Sequence, residues 1–377
     1  MALTQNHFHP NFARAAALFA DYASAEEEAQ LAVYVGGELV LDLASNASPD
    51  ALTTVYSVSK ALSAIALAKL VERGQLDLDQ KVSHYWPEFA AQGKQDVTVR
   101  QMLSHQAGIP ETTPLLTTEQ FLDDHAAAAA LAAEKPWWRP GTGHGYHALS
   151  IGPLFSELCF RVTGKTIQQF YDSEVRVPAG ADAYLGLPEE LEPRVLELQP
   201  MRPPTPEQLQ QWARPANWRP GPIGVAQSAN GLGDAHVLSK AGRRFGLASA
   251  AGVASARGLA SVFQWATGYG KASGGIAPEV LEEFSQVQAS GHDLVLDIPT
   301  RTYGVVFMKP HPMHAYGSRR AFGHDGAAGS MLFADPEGEI VLGYTIRRGY
   351  FPGGMDPRLY PILDEIRSVA TGKGSLG

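Results

Sequence analysis

The chain has almost no cysteine, no long apolar run and no surplus of positive charge. Among its 377 residues Cys159 is the only cysteine, so no intramolecular disulfide can form. Cys159 lies in IGPLFSELCFRVTG, where Ile151, Leu154, Phe155 and Leu158 recur at helical spacing. That setting predicts a buried, inert thiol rather than a nucleophile. No stretch is apolar for long enough to span a bilayer, and the N-terminal MALTQNHFHPNFARAAALFADY lacks the basic start and apolar core of a signal peptide. A cytoplasmic protein is therefore expected. With 30 Lys+Arg against 39 Asp+Glu, the net charge of −9 is poorly suited to nucleic acid or anionic membranes, so neither is expected as a partner. Three catalytic signatures are missing as well: the nucleophile elbow G-x-S-x-G, the zinc-binding H-E-x-x-H and the phosphate loop G-x-x-x-x-G-K-[ST]. The pairs His144/His147 and His311/His314 have no evident third ligand, so no metal is expected.

What is present is a globular composition, 45% hydrophobic with six tryptophans. A first helix is expected from about 11 to 28. LAVYV-GG-ELVLDLA (31–44) then reads as a hairpin turning at Gly36-Gly37. TTVYSVSKALSAIALAKLVERG (53–74) leads into a helix that is apolar on nearly every side and must lie at the centre of the molecule. Further helices are expected over 116–135, from near Tyr146, from about Ala254 and over 357–369. Strands are expected over 302–308 and, around Pro336-Glu337-Gly338, within 329–347. The proline-rich stretch 191–233 reads as a long irregular excursion of the kind that walls a pocket. With strands at both ends and helices between, the expected fold class is α+β: an antiparallel sheet flanked by helices, plus an inserted helical lobe. The expected lobes are residues 1–88 with 250–377, and residues 89–249, with the site between them.

Hydrolytic chemistry needs a nucleophile, a group to hold its proton and donors for an oxyanion. Ser57-Val-Ser-Lys60 offers the first two, since residues three apart share one face of a helix. Ser57 would sit where free N–H groups and the helix dipole favour developing negative charge. Lys60, one turn into an apolar helix, would be desolvated and pushed toward its neutral, basic form.

Two more segments matter. In WWRPGTGHGYHALSIGPL, Tyr146 follows a glycine-rich turn where a helix is expected to begin. In AFGHDGAAGSMLFADPEG, His324-Asp325-Gly326 stands at the entry to a strand. Together with SVSK, DLDQKVSHYWPEF and VTVRQMLSHQAGIP, and in this order, these segments resemble the serine β-lactamase and D,D-peptidase superfamily. Within it, the chain is most similar to the esterases of carboxylesterase family VIII, relatives of the class C β-lactamases.

The resemblance implies that Ser57 is the acylated serine, Lys60 its partner and Tyr146 the tyrosine that exchanges protons with serine and leaving group. It implies oxyanion donation by the backbone N–H groups of Ser57 and Ala327. His324, Asp325 and Gly326 then occupy the substrate-binding position held by Lys-Thr-Gly in β-lactamases. Trp137, Trp138, Trp212, Trp218 and Phe322 are candidates for the pocket wall. The chain departs from the family's Tyr-x-Asn at Tyr146-His147-Ala148, and His324 replaces a permanent cation. Both changes remove anchors for a penicillin while leaving acyl transfer intact.

The expected activity is hydrolysis of a small-molecule carboxylic ester, with no metal or organic cofactor. An amide-directed member (β-lactamase, D-aminopeptidase or acyltransferase) is the alternative enzyme. A non-catalytic binding protein on the same scaffold is the alternative of another class, although such a protein should have lost Ser57, Lys60 or Tyr146. Oligomeric state and the natural substrate are not encoded in any motif.

Overall fold

A computed structural model describes residues 3–23, 28–211, 236–271, 273–312, 314–351 and 353–372. The two ends of the chain meet in a six-stranded antiparallel sheet. Its strands are β1 (Gln5–Phe8), β2 (Ala29–Val35), β3 (Glu38–Ser45), β6 (Phe322–Asp325), β7 (Met331–Asp335) and β8 (Ile340–Ile346), in the order β1-β3-β2-β8-β7-β6. The hairpin of β2 and β3 turns at Gly36 and Gly37, both at positive φ, as the Gly-Gly pair predicts. Strand β2 pairs with β8 from Ala29↔Ile346 to Val35↔Ile340, which joins the N-terminal hairpin to the C-terminal one.

Period-two alternation divides the sheet between two cores. Leu31, Val33, Leu342, Tyr344 and Ile346 pack against helices α1 (Ala13–Ala23) and α5 (Leu359–Thr371). Ala32, Leu332, Ala334 and Val341 pack instead in the larger core with α2 (Val58–Glu72) and α4 (Ala256–Thr267). Helix α4 comes so near the sheet that a Cβ at Gly343 would lie 2.3 Å from the Ala256 carbonyl oxygen, and only glycine fits there. Helix α2 is buried from Val58 through Ala68, as its all-round apolar sequence requires. Helix α3 (Ile151–Thr163) also contributes to this core and buries Cys159 completely. Among the described residues no helix is long and apolar enough to cross a membrane.

Several sequence expectations are corrected. The first helix is shorter than 11–28, because a 3-10 turn at Pro10–Phe12 leads into it and the polar edge strand β1 precedes that turn. The helix expected over 116–135 is two, Thr118–Phe121 and Asp124–Ala133. Asp123 starts the second by accepting the N–H groups of His125 and Ala126. The strand expected over 302–308 ends at Tyr303. It is β5 (Ile298–Tyr303), paired with β4 (Ala289–Asp293) in a separate ribbon, and Val306 beyond it lies at positive φ. The helix expected from near Tyr146 begins only at Ile151. His324 and Asp325 close strand β6 rather than opening a strand.

Candidate active site

Three polar side chains interrupt the otherwise apolar start of α2, and each ties the helix to another segment. Ser59 Oγ accepts the Gly252 N–H at 2.8 Å, Ser63 Oγ donates to the Ala248 carbonyl at 2.8 Å, and Lys60 lies between them. The main chain of 248–252 is thereby laid along the helix, and Ser249 Oγ reaches on to the Leu149 carbonyl at 2.9 Å. Just before the helix, Tyr56 takes up positive φ (46°), which is uncommon for a residue with a side chain. Ser57 follows as the N-terminal flanking residue of α2, half-buried and without a side-chain capping bond.

Lys60 is completely buried. Its Nζ contacts Ser57 Oγ at 3.1 Å, the Ala148 carbonyl at 2.7 Å and the Ser249 carbonyl at 2.8 Å. Burial pushes the Lys60 pKa well below 10.5, with the negative charge of Asp325 opposing in part. This contact set suits the neutral amine. Two N–H groups satisfy the two carbonyls, and the lone pair faces Ser57 Oγ, whose hydroxyl can donate to it. Tyr146 completes the group: its hydroxyl donates to Ser57 Oγ at 2.7 Å, and its ring lies 4.8 Å from Lys60 Nζ. Burial raises the Tyr146 pKa, so the phenol keeps its proton.

The three residues come from two parts of the chain, and the segment 144–148, which bridges to the β-ribbon at His144, brings Tyr146 to α2. His147 secures that segment. Its Nδ1–H donates to the Gly145 carbonyl at 2.7 Å and its Nε2 accepts the Ile109 N–H at 3.0 Å, so both ring nitrogens serve structure. Burial pushes its pKa down to about 4. His105 accepts the His147 N–H on Nδ1 at 3.1 Å and lies 5.2 Å, ring to ring, from Tyr146. Ala148 contributes its carbonyl to Lys60. Among the described residues no cluster of three or more His, Cys, Asp or Glu is arranged to hold a metal ion.

Strand β6 closes the site from the sheet side. A Cβ at Gly326 would lie 2.3 Å from the Val55 carbonyl oxygen, so glycine lets the end of β6 abut the segment that carries Ser57. The exposed turn residue Ala327 follows directly.

His324 and Asp325, expected to meet substrate, are both buried. His324 Nδ1–H donates to the Asp325 carbonyl at 2.7 Å, and its ring lies 5.9 Å from that of Tyr146. Burial lowers its pKa and keeps the imidazole neutral. Asp325 accepts the Met355 N–H at 3.1 Å and lies 3.3 Å from His314 Nε2 and 3.9 Å from Arg301. Burial alone would raise its pKa, but His314, His324 and Arg301 outweigh that and hold it well below the usual carboxylate range. Asp325 therefore acts as a buried charge behind the cluster.

The wall candidates divide. Trp138 donates its indole N–H to the Gly143 carbonyl at 3.1 Å and lies edge-on to His147 at 5.8 Å, beside the segment that carries Tyr146. Trp137 is half-buried nearby, its N–H on the Gly108 carbonyl. Phe322 is a core residue, 2% exposed, packed 4.9 Å from Phe307 and 5.8 Å from Phe263. It packs in the larger core, and the cavity it borders, beside Thr267, Tyr269 and Lys309, is not lined by Ser57, Lys60 or Tyr146. Trp212 and Trp218 lie outside the described residues. Sequence reasoning missed Ser249, Asp293 and Tyr303, which carry no motif and are recognisable only by what they touch.

The Beta-lactamase family model matches residues 16–365. Among solved structures, EstA from Arthrobacter nitroguajacolicus Rue61a is similar at a TM-score of 0.87 and 38% identity, over 99% of this chain and 99% of that one. A family VIII carboxylesterase is similar at a TM-score of 0.85 and 29% identity, over 98% of this chain and all of that one (100%). Among curated proteins, the esterase/beta-lactamase LipL of Mycobacterium tuberculosis is 37% identical over 169 residues. That stretch is 42% of this chain and spans only 39% of LipL.

Proposed function

The chain belongs to the beta-lactamase family, and from that premise we propose that it is a serine carboxylesterase, splitting short-chain carboxylic esters through an acyl-enzyme on Ser57. The observation that carries this reading is the placement of Ser57 Oγ between the Tyr146 hydroxyl, at 2.7 Å, and the amine of fully buried Lys60, at 3.1 Å. The esterase names of EstA, LipL and the family VIII structure support the ester class.

In the proposed cycle, neutral Lys60 accepts the Ser57 proton as Oγ attacks the ester carbonyl. The Ser57 and Ala327 N–H groups hold the oxyanion. Among the described residues neither amide donates to another backbone carbonyl, which fits donors kept for substrate. Tyr146 gives its proton to the departing alcohol and regains one from Lys60, now an ammonium. Water then enters, loses a proton to the same pair and attacks the acyl carbonyl, which releases the acid and frees Ser57. Every proton that leaves a nucleophile returns on a leaving group, so no cofactor takes part.

Substrate preference follows from what surrounds the serine. Ala148 offers its carbonyl, already used by Lys60, and no side-chain amide. His324 is neutral and fully buried, so it gives no cation for a β-lactam carboxylate. The decisive test is a fluorophosphonate, which should add once, at Ser57. Labelling at any other serine, or an active Ser57→Ala variant, refutes the reading.

A further inference from the structure

We propose that Asp293 and Tyr303, on the β4–β5 ribbon, form a clamp that positions Tyr146 for proton transfer; this rests on the role given to Tyr146 above. Asp293 is completely buried. Its Oδ1 accepts the backbone N–H of Tyr146 at 3.1 Å and those of Val295 and Leu296, each at 2.9 Å. Its Oδ2 accepts the Tyr303 hydroxyl at 2.9 Å. The Tyr303 ring is parallel to that of Tyr146, with centroids 6.1 Å apart and planes 3° apart.

One carboxylate thus holds Tyr146 twice, directly through its main chain and indirectly through the ring beside its own. The fit between ribbon and segment is close. Leu294 N–H donates to the His144 carbonyl at 2.9 Å, and a Cβ at Gly145 would lie 2.6 Å from Val295 Cγ2. A buried carboxylate that accepts four hydrogen bonds resists displacement, because each lost bond would leave a buried group unpaired. The bonds from Asp293 and the stacked Tyr303 ring reach the site through Tyr146, whereas Ser57 and Lys60 are held at the start of α2. The ribbon therefore bears on the Tyr146–Ser57 distance rather than on the Lys60–Ser57 contact. The negative charge of Asp293 acts in the same sense as the geometry, since it favours the protonated phenol.

Asp293 and Tyr303 are positioning residues: they touch Tyr146 and act through it. A displacement of about 1 Å at a reacting group can lower a rate roughly a hundredfold, which sets the scale expected for Asp293→Asn in kcat. Tyr303→Phe removes only one hydroxyl and keeps the stacked ring, so a loss of about threefold to tenfold is expected. KM for p-nitrophenyl butyrate should change by less than about threefold in both, because uniform substrate binding is untouched.

The test is a pair of double-mutant cycles on the full chain, Asp293→Asn and Tyr303→Phe, each made with and without Tyr146→Phe. If the clamp acts through the tyrosine hydroxyl, neither substitution lowers kcat further once that hydroxyl is gone. Ser290→Ala, on the same ribbon and with its hydroxyl bonded to that of Thr302 at 3.1 Å, should leave kcat unchanged. Equal losses with and without the Tyr146 hydroxyl would overturn the proposal and leave a merely structural ribbon. So would an unchanged kcat in Tyr303→Phe, a variant chosen to fold even where Asp293→Asn does not. Full activity in Tyr146→Phe itself would instead remove the functional reading on which the clamp rests.

Discussion

Lys60→Arg tests the proton-acceptor role most directly, because arginine keeps the charge and cannot give up its proton. In the native site, Lys60 Nζ meets three oxygens: Ser57 Oγ and the carbonyls of Ala148 and Ser249. A guanidinium brings five N–H groups into a pocket shaped for one amine, and each one left unpaired there costs about 1–3 kcal/mol. The variant should lose stability by a few kcal/mol. The loss in kcat should be about 10⁴. At 1.36 kcal/mol per decade, that is roughly 5.4 kcal/mol of transition-state stabilisation.

The wild-type pH dependence follows from the same group. Burial lowers the pKa of folded Lys60 well below the 10.5 of the unfolded chain. Below the folded value the neutral fraction falls tenfold per pH unit, so kcat/KM should climb with pH along one limb and then level. Between the folded and unfolded values the unfolded chain binds the extra proton, so stability should also rise with pH in that window. Lys60→Met removes the titrating group and should abolish both dependences, which keeps the test valid if the arginine variant does not fold. Initial rates on p-nitrophenyl butyrate and melting temperatures, read together from about pH 5 to about pH 9, supply the measurements. A Lys60→Arg protein within about tenfold of the wild-type rate, or a flat wild-type profile, refutes the role.

Ser57→Ala should lose a factor of about 10⁴ in kcat, and its effect on melting temperature should be limited to the lost bonds to Tyr146 and Lys60, since its side chain makes no helix-capping bond. Short-chain activated esters should be hydrolysed at least about a hundredfold more efficiently, by kcat/KM, than a chromogenic cephalosporin, and Ala148→Asn should narrow that gap. Comparable efficiencies would put the amide-directed activity first. Gly326→Ala would drive a Cβ to within 2.3 Å of the Val55 carbonyl. It should destabilise the fold by about 1–3 kcal/mol, measured by denaturant titration, and lower kcat by moving the Ala327 N–H. An alanine variant with wild-type stability and rate would show that β6 has slack there.

Several features were legible in the sequence because a local pattern determines them. The Gly-Gly turn, the α2 helix that must be buried because it is apolar all round, and the S-x-x-K spacing each follow from a short run of residues. The pairing of N-terminal and C-terminal strands could also be inferred, since sheet edges need partners and only the two ends carried strong strand patterns. Tertiary contact decided the rest. The segment 144–148 stays out of the helix expected near Tyr146: His147 is bonded on both sides and Asp293 takes the Tyr146 N–H, and no local pattern announces either bond. Phe322 reads equally as pocket wall or core from its neighbours in sequence, and its packing on Phe263 and Phe307 settles it as core. The charge states were decided last of all. Lys60, His324 and Asp325 are ordinary titratable residues in sequence, and only their removal from water, beside one another, lowers the lysine pKa and keeps the histidine neutral.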